Sequence, residues 1–547
     1  MLRVRWLGRV PYREALTLQT ALFENGREQH LLLVEHPHVF TYGPRAELDR
    51  NLRCDPTEVG AELVSVKRGG DVTYHGPGQL VGYPIVQLDN RIGAADHVFS
   101  VEQLVIDALG DLGVVGAGRL EGYAGVWIHS DNSLPRKIAA IGVRIAHGRT
   151  MHGFALNVNT DMRYLREHIV PCGIDDLPVT SMEELGSDAS MHDVVDAIAA
   201  RAGSLWASGE VERQDVAWFH RPEDLSRFSR GDGPGTAIRL TSRLADSGVE
   251  GGIDIAERKP EWLRPKVHIG EAVLRTKSVL EDLSLVTVCE EAGCPNLSEC
   301  WRDGTATFMV LGERCTRACG FCLVDTRKPV DPDSSEPDRV ARAVERLGLD
   351  HVVLTMVARD DLDDGGMSHV AACVEEIRRV RPDALIETLV ADAKGSRDSL
   401  DVLFAARPDV FNHNVETVAR LQRAVRPSAG YGRSLGVLAA AKQSGLCTKS
   451  GLVLGMGETV EEVDGCLADL AGIGVDIVTI GQYLRPTTHH LPVARWIHPD
   501  EFIRWKQIGE SLGITHVESS PLTRSSYHAK QAAEAVPVSL MRRPSAV

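Results

Sequence analysis

The sequence predicts an α/β protein of two domains, the second a parallel βα array curled into a partial barrel. Three observations carry this. After Cys322, apolar segments of strand length alternate with amphipathic segments of helix length. Between residues 226 and 257, glycine, serine and charge replace apolar periodicity. The chain has 547 residues, more than one ordinary core encloses. The halves share no repeat. The expected domains are therefore 1–225 and 258–547, joined by a flexible connection at 226–257.

Composition narrows the class. Hydrophobic content of 43% and aromatic content of 5% fit globular domains. A formal net charge of −16 disfavours nucleic acid and anionic membrane as partners. An acidic protein partner would need a local basic patch. No apolar run reaches the roughly 18 residues of a membrane span, and the start lacks a signal core, so a cytoplasmic location is expected. Of 11 cysteines, six fall between Cys289 and Cys322, a metal pattern in a reducing compartment and not a disulfide framework.

In the first half, residues 20–35 read as a helix running into the apolar strand L-L-L-V-E-H-P, followed by a loop around Thr41 to Arg45. Residues 68–83 read R-G-G-D-V-T-Y-H-G-P-G-Q-L-V-G-Y. Glycines suit a backbone that takes positive φ or approaches a ligand, although an ordinary hairpin turn uses them too. Flanking strands at 62–67 and 79–87 place His75 at a loop mouth, outside the core. Lys137 begins an alternating strand, K-I-A-A-I-G-V-R-I; H-G-F-A-L-N-V-N follows at 152–159 and V-P-C-G-I surrounds Cys172. A thiolate is an attacking species, and a nearby ammonium lowers a thiol pKa. Taken alone, Cys172 reads rather as a small buried hydrophobe.

In the second half, residues 315–322 read C-T-R-A-C-G-F-C just after a strand at 306–311. Short spacers let the thiolates of Cys315, Cys319 and Cys322 converge on one iron–sulfur cluster. A four-iron cluster normally takes four cysteines, so three leave one iron open to a substrate or cofactor. Cys289, Cys294 and Cys300, spaced C-x4-C-x5-C, imply a second cluster. Zinc, with four closed ligands, is the competing reading of both sets. Strands follow at 351–356, 384–390, 409–414, 448–454 and 476–482, with helices at 336–348, 368–379, 434–444 and 459–472. With the strand at 306–311 this makes about six βα units with right-handed crossovers. In such a barrel, chemistry gathers at the strand C-terminal ends. Arg359, Asp360, Asp361, Glu387, Asn412, His413, Asn414, Lys449 and Gln482 are expected there. Cys54, Cys373, Cys447 and Cys466 fit no cluster spacing and read as packing residues.

Taken together, R-G-G-D-V-T-Y-H-G-P-G-Q, the Lys137 strand, H-G-F-A-L-N-V-N and P-C-G-I resemble the octanoyltransferase family of the lipoate pathway, relatives of the biotin and lipoate protein ligases. The resemblance implies an α/β domain like the catalytic core of those ligases. It implies that Cys172 takes octanoyl from acyl carrier protein as a thioester, with Lys137 activating the thiol. Arg68, Gly69, Gly70, Asp71, Val72, Thr73, Tyr74 and His75 would shape the acyl pocket. Ala140, Ile141, Gly142, Gly153, Phe154 and Ala155 would line it. A thioester is already activated, so this reading needs no ATP, whereas a ligase reading does.

The 315–322 spacing is similar to that of the radical S-adenosylmethionine enzymes. It implies that the open iron chelates S-adenosylmethionine and that one electron releases a 5′-deoxyadenosyl radical. Adding the second triad, R-S-S-Y from Arg524, D-D-L-D-D-G-G from Asp360, N-H-N-V-E-T from Asn412, T-K-S-G-L-V-L-G-M-G-E-T from Thr448 and G-Q-Y-L-R-P-T from Gly481, residues 258–530 resemble the lipoyl synthase family. This implies two [4Fe-4S] clusters. One would sit on Cys315, Cys319 and Cys322. The other, auxiliary and consumed as a sulfur source, would sit on Cys289, Cys294, Cys300 and Ser526, with Ser525 the alternative. The sequence departs from the family at Met356 and Ala358 before R-D-D, at Ala391 and Ala393 after the Glu387 strand, and at Ala419 where proline is usual. None removes a cluster ligand; all put substrate or cofactor contacts in question.

Both resemblances together imply two consecutive steps of lipoate assembly: octanoyl transfer to a lysine, then insertion of two sulfurs at C6 and C8. Implied partners are octanoyl-acyl carrier protein, lipoyl domains of 2-oxoacid dehydrogenases or the glycine cleavage H protein, and a ferredoxin- or flavodoxin-type electron donor. A non-catalytic iron–sulfur scaffold, or an ATP-dependent ligase joined to another radical enzyme, is the alternative.

Overall fold

The computed structural model describes residues 1–89, 91–129, 134–174, 177–207, 209–216, 240–264, 271–287, 296–302 and 305–536. The chain separates into two units, Met1–Asp215 and Val216–Val547.

The first unit is built on strands β1 (Leu2–Arg9), β2 (Gln29–Glu35), β3 (Val39–Tyr42), β4 (Glu62–Ser65), β5 (Thr73–His75), β6 (Gln79–Ile85), β7 (Ala117–Leu120), β8 (Tyr123–Ile128), β9 (Arg136–Ala146), β10 (Arg149–Asn157) and β11 (Val211–Asp215). Eight of them form one sheet in the order β11-β1-β2-β6-β10-β9-β8-β7, and β4-β3-β5 form a small second sheet. Helices Tyr12–Asn25, Ala94–Asp111 and Met191–Trp206 cover the large sheet with apolar stripes such as Val101, Leu104, Val105 and Ala108. The helix read as running into a strand over 20–35 starts earlier, at Tyr12, and the strand follows it as β2. Gly26 stops the helix by extended backbone at φ −66°, ψ 131°, and β-branched and leucine residues then suit β2.

Two strands come unusually close where glycine allows it. Gly82 of β6 pairs with Phe154 of β10, and a Cβ on Gly82 would meet the Phe154 ring at 2.2 Å. The ring therefore occupies the space over Gly82, and the Lys137 strand lies next in the sheet.

A smaller core of Phe40, Ala61, Val72, Tyr74, Met162, Leu165, Ile169 and Val179 packs the small sheet against the 162–179 segment. This cluster anchors the turn that bears Cys172. Cys172 has φ 57°, a left-handed conformation costing a non-glycine residue roughly 1–2 kcal/mol. Burial of Ile169 and Val170 beside it contributes roughly 1.5–3 kcal/mol each and outweighs that strain.

His75 does not stand at a loop mouth. It ends β5, pairs with Val39 of β3 and is 6% exposed. Gly76 and Gly78 make their turn after it, so the glycines release the chain from a buried strand and leave the histidine inside.

The second unit carries β12 (Val286–Thr287), β13 (Thr305–Val310), β14 (His351–Met356), β15 (Leu385–Leu389), β16 (Val410–Asn412), β17 (Cys447–Leu454), β18 (Ile477–Gln482) and β19 (His516–Ser519). They pair in chain order, all parallel from β13 to β19, with β12 antiparallel at the edge. Among the described residues β19 has no pairing back to β12 or β13, so the array is open. Helices Glu336–Leu347, Met367–Val380, Arg397–Ala405, Tyr431–Gln443, Val460–Gly472 and Pro499–Ser511 cross between consecutive strands. The six predicted βα units are present, and β19 adds a seventh parallel strand.

The described part of the expected connection, 240–257, packs on this unit. Leu244 is buried, Ile253 bridges to Val493, and the Ser247 carbonyl accepts from Arg420. Apolar residues spaced by glycines gave it no periodicity, yet Leu244 is buried against the unit.

Two residues expected at strand ends lie deeper. Glu387 and Lys449 occupy mid-strand positions, are 1% and 0% exposed, and pair at 3.0 Å, with Asn412 donating to the other Glu387 oxygen at 2.7 Å. A buried pair satisfied in this way closes on itself. Gln482 likewise donates to the Leu454 carbonyl and accepts from the Ile497 amide, tying loops together.

Candidate active sites

In the first unit, the Cys172 turn and the first residues of β9 face one slot. It is lined by Thr73, Gln79, Lys137, Ala140, Ala155, Asn157, Leu165, Pro171, Cys172 and Val179. Its free volume of about 10 Å³ is close to the space of a single water. Lys137 is 5% exposed, and its ammonium stands 4.8 Å from the Trp127 ring centroid. The Lys137 backbone is clamped by the 178–180 segment, its amide donating to the Pro178 carbonyl and its carbonyl accepting from Thr180. The Cys172 amide donates to the Val72 carbonyl at 2.9 Å. The nucleophile candidate and its cationic neighbour are therefore each fixed by backbone bonds to other segments.

A chain of polar groups runs behind the slot. His75 Nδ1 meets Gln79 Oε1 at 2.9 Å, Gln79 Nε2 donates to Asn157 Oδ1 at 2.9 Å, and Asn157 Nδ2 donates to the Thr180 carbonyl at 3.0 Å. Burial pushes the His75 pKa well below its ordinary value, with His36 acting in the same direction, so the ring is neutral. It is a hydrogen-bonding element of the wall. Gln79 and Asn157 were not singled out from sequence, although both stand inside the quoted segments. A polar residue at the end of an apolar strand was the available signal.

Of the other expected pocket residues, Thr73, Ala140 and Ala155 line the slot, whereas Val72 and Tyr74 belong to the small core. Tyr74 donates toward His38 Nδ1 at 2.8 Å. Ile141 and Phe154 pair across β9 and β10, next to the pair Gly142 and Gly153. Asp71 accepts from Asn51 Nδ2 and the Val72 amide and braces the Cys172 turn, since Gly173 lies against it. Arg68 is buried, donates to Thr41 Oγ1 and the Thr41 carbonyl, and senses Cys172 electrostatically. Arg68, Gly69 and Gly70 line a second cleft beside the slot.

In the second unit, the three cysteines follow β13 on a loop held at many points. The Cys315 amide donates to the Asp325 carbonyl, the Thr316 amide to the Ala358 carbonyl, the Gly320 amide to the Val425 carbonyl, and His490 Nε2 meets the Cys322 carbonyl at 2.9 Å. Arg317, between the cysteines, is forked onto Asp360 at 2.7 and 2.8 Å and onto the fully buried Asp392 at 2.5 Å. Arg317 holds the Asp392 carboxyl far below the usual carboxylate range despite burial. Neither Arg317 nor Asp392 was singled out. Asp392 sits between two departures from the family pattern, Ala391 and Ala393, and it is the residue that grips the loop. At Ala358 the departure removes a side chain, but the loop uses only its carbonyl. Met356 ends β14, and Ala419 is fully buried in a short turn.

Burial raises the Cys315 pKa and pushes Cys319 to about 11 and Cys322 to about 12, the last two also raised by their neighbours in the triad. Thiols this hard to ionise become thiolates when a cationic core binds them. Among the described residues no three His, Cys, Asp or Glu side chains close on a point suited to a single ion. A four-iron core takes one thiolate per corner, and three cysteines supply three of the four. The donor set therefore fits a cluster with one iron open.

Cys289 and Cys294 lie outside the described residues. Cys300 lies on the helix Leu297–Arg302, and the R-S-S-Y tail is fastened beside it. Asn296 Nδ2 donates to the Leu522 carbonyl at 2.7 Å, and Tyr527 hydroxyl donates to Glu299 at 3.4 Å. Gly481 of β18 lets the tail lie on the strand, since a Cβ there would meet the Thr523 carbonyl at 2.0 Å. Asn414 Nδ2 donates to Ser525 Oγ at 2.6 Å and to Glu416 at 3.0 Å.

A cysteine loop at the C-terminal end of the first strand of a parallel βα array defines a radical S-adenosylmethionine enzyme, and residues 309–470 match the Radical SAM superfamily. Residues 241–294 match the N-terminal domain of lipoyl synthase of that family, and residues 11–202 match the lipoyl protein ligase A/B catalytic domain. The lipoyl synthase of Rubrobacter xylanophilus is 54% identical over 278 residues, 50% of this chain and 87% of that protein. That of Chlorobium limicola is 52% identical over 277 residues, 50% of this chain and 95% of that protein. Among solved structures, the bipartite lipoate protein ligase of Thermoplasma acidophilum covers 42% of this chain and 91% of its own, at 19% identity and TM-score 0.34. The chain belongs to the lipoyl synthase family, with a lipoate ligase/octanoyltransferase-type catalytic domain fused ahead of it. It is a bifunctional enzyme of lipoate biosynthesis that inserts sulfur by radical S-adenosylmethionine chemistry, and its family implies a [4Fe-4S] cluster and S-adenosylmethionine. No helix among the described residues is long and apolar enough to cross a membrane.

Proposed function

We propose that the first unit moves octanoyl from acyl carrier protein to a lysine of a lipoyl domain through an acyl-Cys172 intermediate. The observation that carries this is that Cys172 and Lys137, from distant segments, line one slot with apolar Ala140, Ala155, Leu165 and Val179. Cys172 Sγ attacks the donor carbonyl, the new C–S bond replaces the old one, and the carrier thiol leaves with a proton. The acceptor amine then attacks the acyl-cysteine, forms the amide and returns the thiol. The Lys137 ammonium stabilises the thiolate at both stages. The slot is nearly closed, so an acyl chain enters as the Cys172 turn shifts outward. No step uses ATP.

The second unit then places sulfur at C6 and C8 of the bound octanoyl chain. Cys315, Cys319 and Cys322 hold one cluster, and Cys289, Cys294, Cys300 and Ser526 hold the auxiliary one. When bound, these groups supply the electron that cleaves S-adenosylmethionine and the sulfur that is inserted. Arg317, pinned by Asp360 and Asp392, keeps the cysteine loop in shape. Asn414 already donates to Ser525 Oγ, which favours Ser526 as the ligand. Lipoyl domains of 2-oxoacid dehydrogenases or the glycine cleavage H protein are the acceptors, and a ferredoxin- or flavodoxin-type protein brings electrons.

Anaerobic mass spectrometry of a lipoyl domain incubated with octanoyl carrier protein, S-adenosylmethionine and reductant tests the whole reading. The expected record is a gain of one octanoyl group followed by two sulfurs. Acylation that requires ATP would refute the first step, and octanoyl without sulfur would refute the second. The serine assignment has its own test. Ser526→Ala is expected to change the Mössbauer signature of the auxiliary cluster and lower sulfur insertion roughly 100-fold, while Ser525→Ala leaves that signature alone. The reverse pattern would move the ligand to Ser525.

A further inference from the structure

Beside the Cys172 slot lies a larger cleft of about 660 Å³ lined by Pro44, Arg45, Lys67, Arg68, Gly69, Gly70, Val143 and Arg144. Four of these are cationic, in a chain whose net charge is −16. Among the described residues none of the four has a carboxylate within ion-pair distance. Asp71, whose charge Arg68 feels, is occupied by Asn51 and the Val72 amide. Arg144 instead lies over the Phe23 ring at 5.3 Å. Arg68 is 9% exposed, and its buried Nε has no hydrogen-bond partner. Cations gathered without counter-charge repel one another, and a concave wall of them attracts an anion.

The position of the cleft says which acceptor. Arg68 lines the cleft and also feels the charge of Cys172. A thioester poised at Cys172 sends its acyl chain into the apolar slot and its thiol arm the other way. An arm ending in a phosphodiester carries an anion that a guanidinium fork and an ammonium match.

We propose that this cleft binds the phosphate of the acyl donor's pantetheine arm, with Arg45, Lys67, Arg68 and Arg144 as its cationic wall. This deepens the octanoyl-transfer reading and rests on it. The phosphate anchors the arm, so that donors bearing it reach Cys172 more effectively than the same thioester without it.

The test compares octanoyl-pantetheine, octanoyl-phosphopantetheine and octanoyl carrier protein as donors to the full chain. The readouts are kcat/KM and the mass of acylated Cys172. The phosphate is expected to raise kcat/KM roughly tenfold or more, an advantage that shrinks as salt rises. In Arg45→Ala/Lys67→Ala the two small donors should become equal within about a factor of two, and Arg45→Lys/Lys67→Arg should restore part of the gap. Both side chains are exposed, so these changes spare the core. No phosphate advantage in the unmodified chain, or an undiminished one in the double variant, overturns the proposal. Loss confined to the carrier protein also overturns it, because the cations would then read the protein surface. Absence of any acyl group on Cys172 with every donor marks the failure of the transfer reading itself, and the cleft assignment falls with it.

Discussion

Cys172→Ala is expected to abolish octanoyl transfer while leaving sulfur insertion into a pre-octanoylated lipoyl domain intact. Loss of a nucleophile removes the covalent route altogether, so kcat should fall by roughly 10⁴-fold or more. Fold should survive, because Cys172 is only part-buried and its turn is held by backbone bonds at Val72, Val170 and Pro171. Alanine keeps the left-handed strain at this position but removes no core contact. Lys137→Met is expected to be less severe, since the thiol remains and loses only its cationic neighbour. The check is intact-mass detection of acyl-enzyme together with the rate of domain octanoylation. Transfer surviving in Cys172→Ala would assign the first unit to a direct, ligase-like mechanism.

Cys319→Ala is expected to produce the complementary loss. It removes one of the three thiols proposed to hold one core, a thiol that burial raises to about 11. Iron content after anaerobic reconstitution should drop by about four per chain, and cleavage of S-adenosylmethionine should disappear. Octanoyl transfer should be unchanged, because the Cys172 slot is enclosed entirely by residues of the first unit. Serine at position 319 should not rescue, since an alkoxide binds iron less well than a thiolate. Retained iron with retained cleavage would remove this triad from the radical chemistry.

Much of both sites was legible in the sequence because local spacing carries it. Three cysteines within eight residues meet wherever the loop folds, and alternation of apolar strands with amphipathic helices specifies a parallel array before any pairing is known. Gln79 and Asn157 were harder to single out. Their work is to bridge His75 to the Thr180 carbonyl, a link between strands distant in the chain. Asp392 gave the same difficulty. It stands between two alanines that depart from the family pattern and was not singled out, yet it anchors Arg317 at the centre of the cysteine loop.

Spacing, period and composition by themselves determined the two-domain α/β plan and marked out the cysteine sets, whereas the candidate reactive cysteine and lysine came from the resemblance of their segments to a known family. Those features depend on residues near in sequence or on patterns that every copy of the element must obey. Tertiary structure alone decided that His75 is an interior wall, that Glu387 and Lys449 close on each other, that Asn414 takes Ser525, and that four unpaired cations share a cleft. The reason is physical. Burial, desolvation and charge pairing belong to groups brought together from separate segments, and no local pattern records which segments will meet.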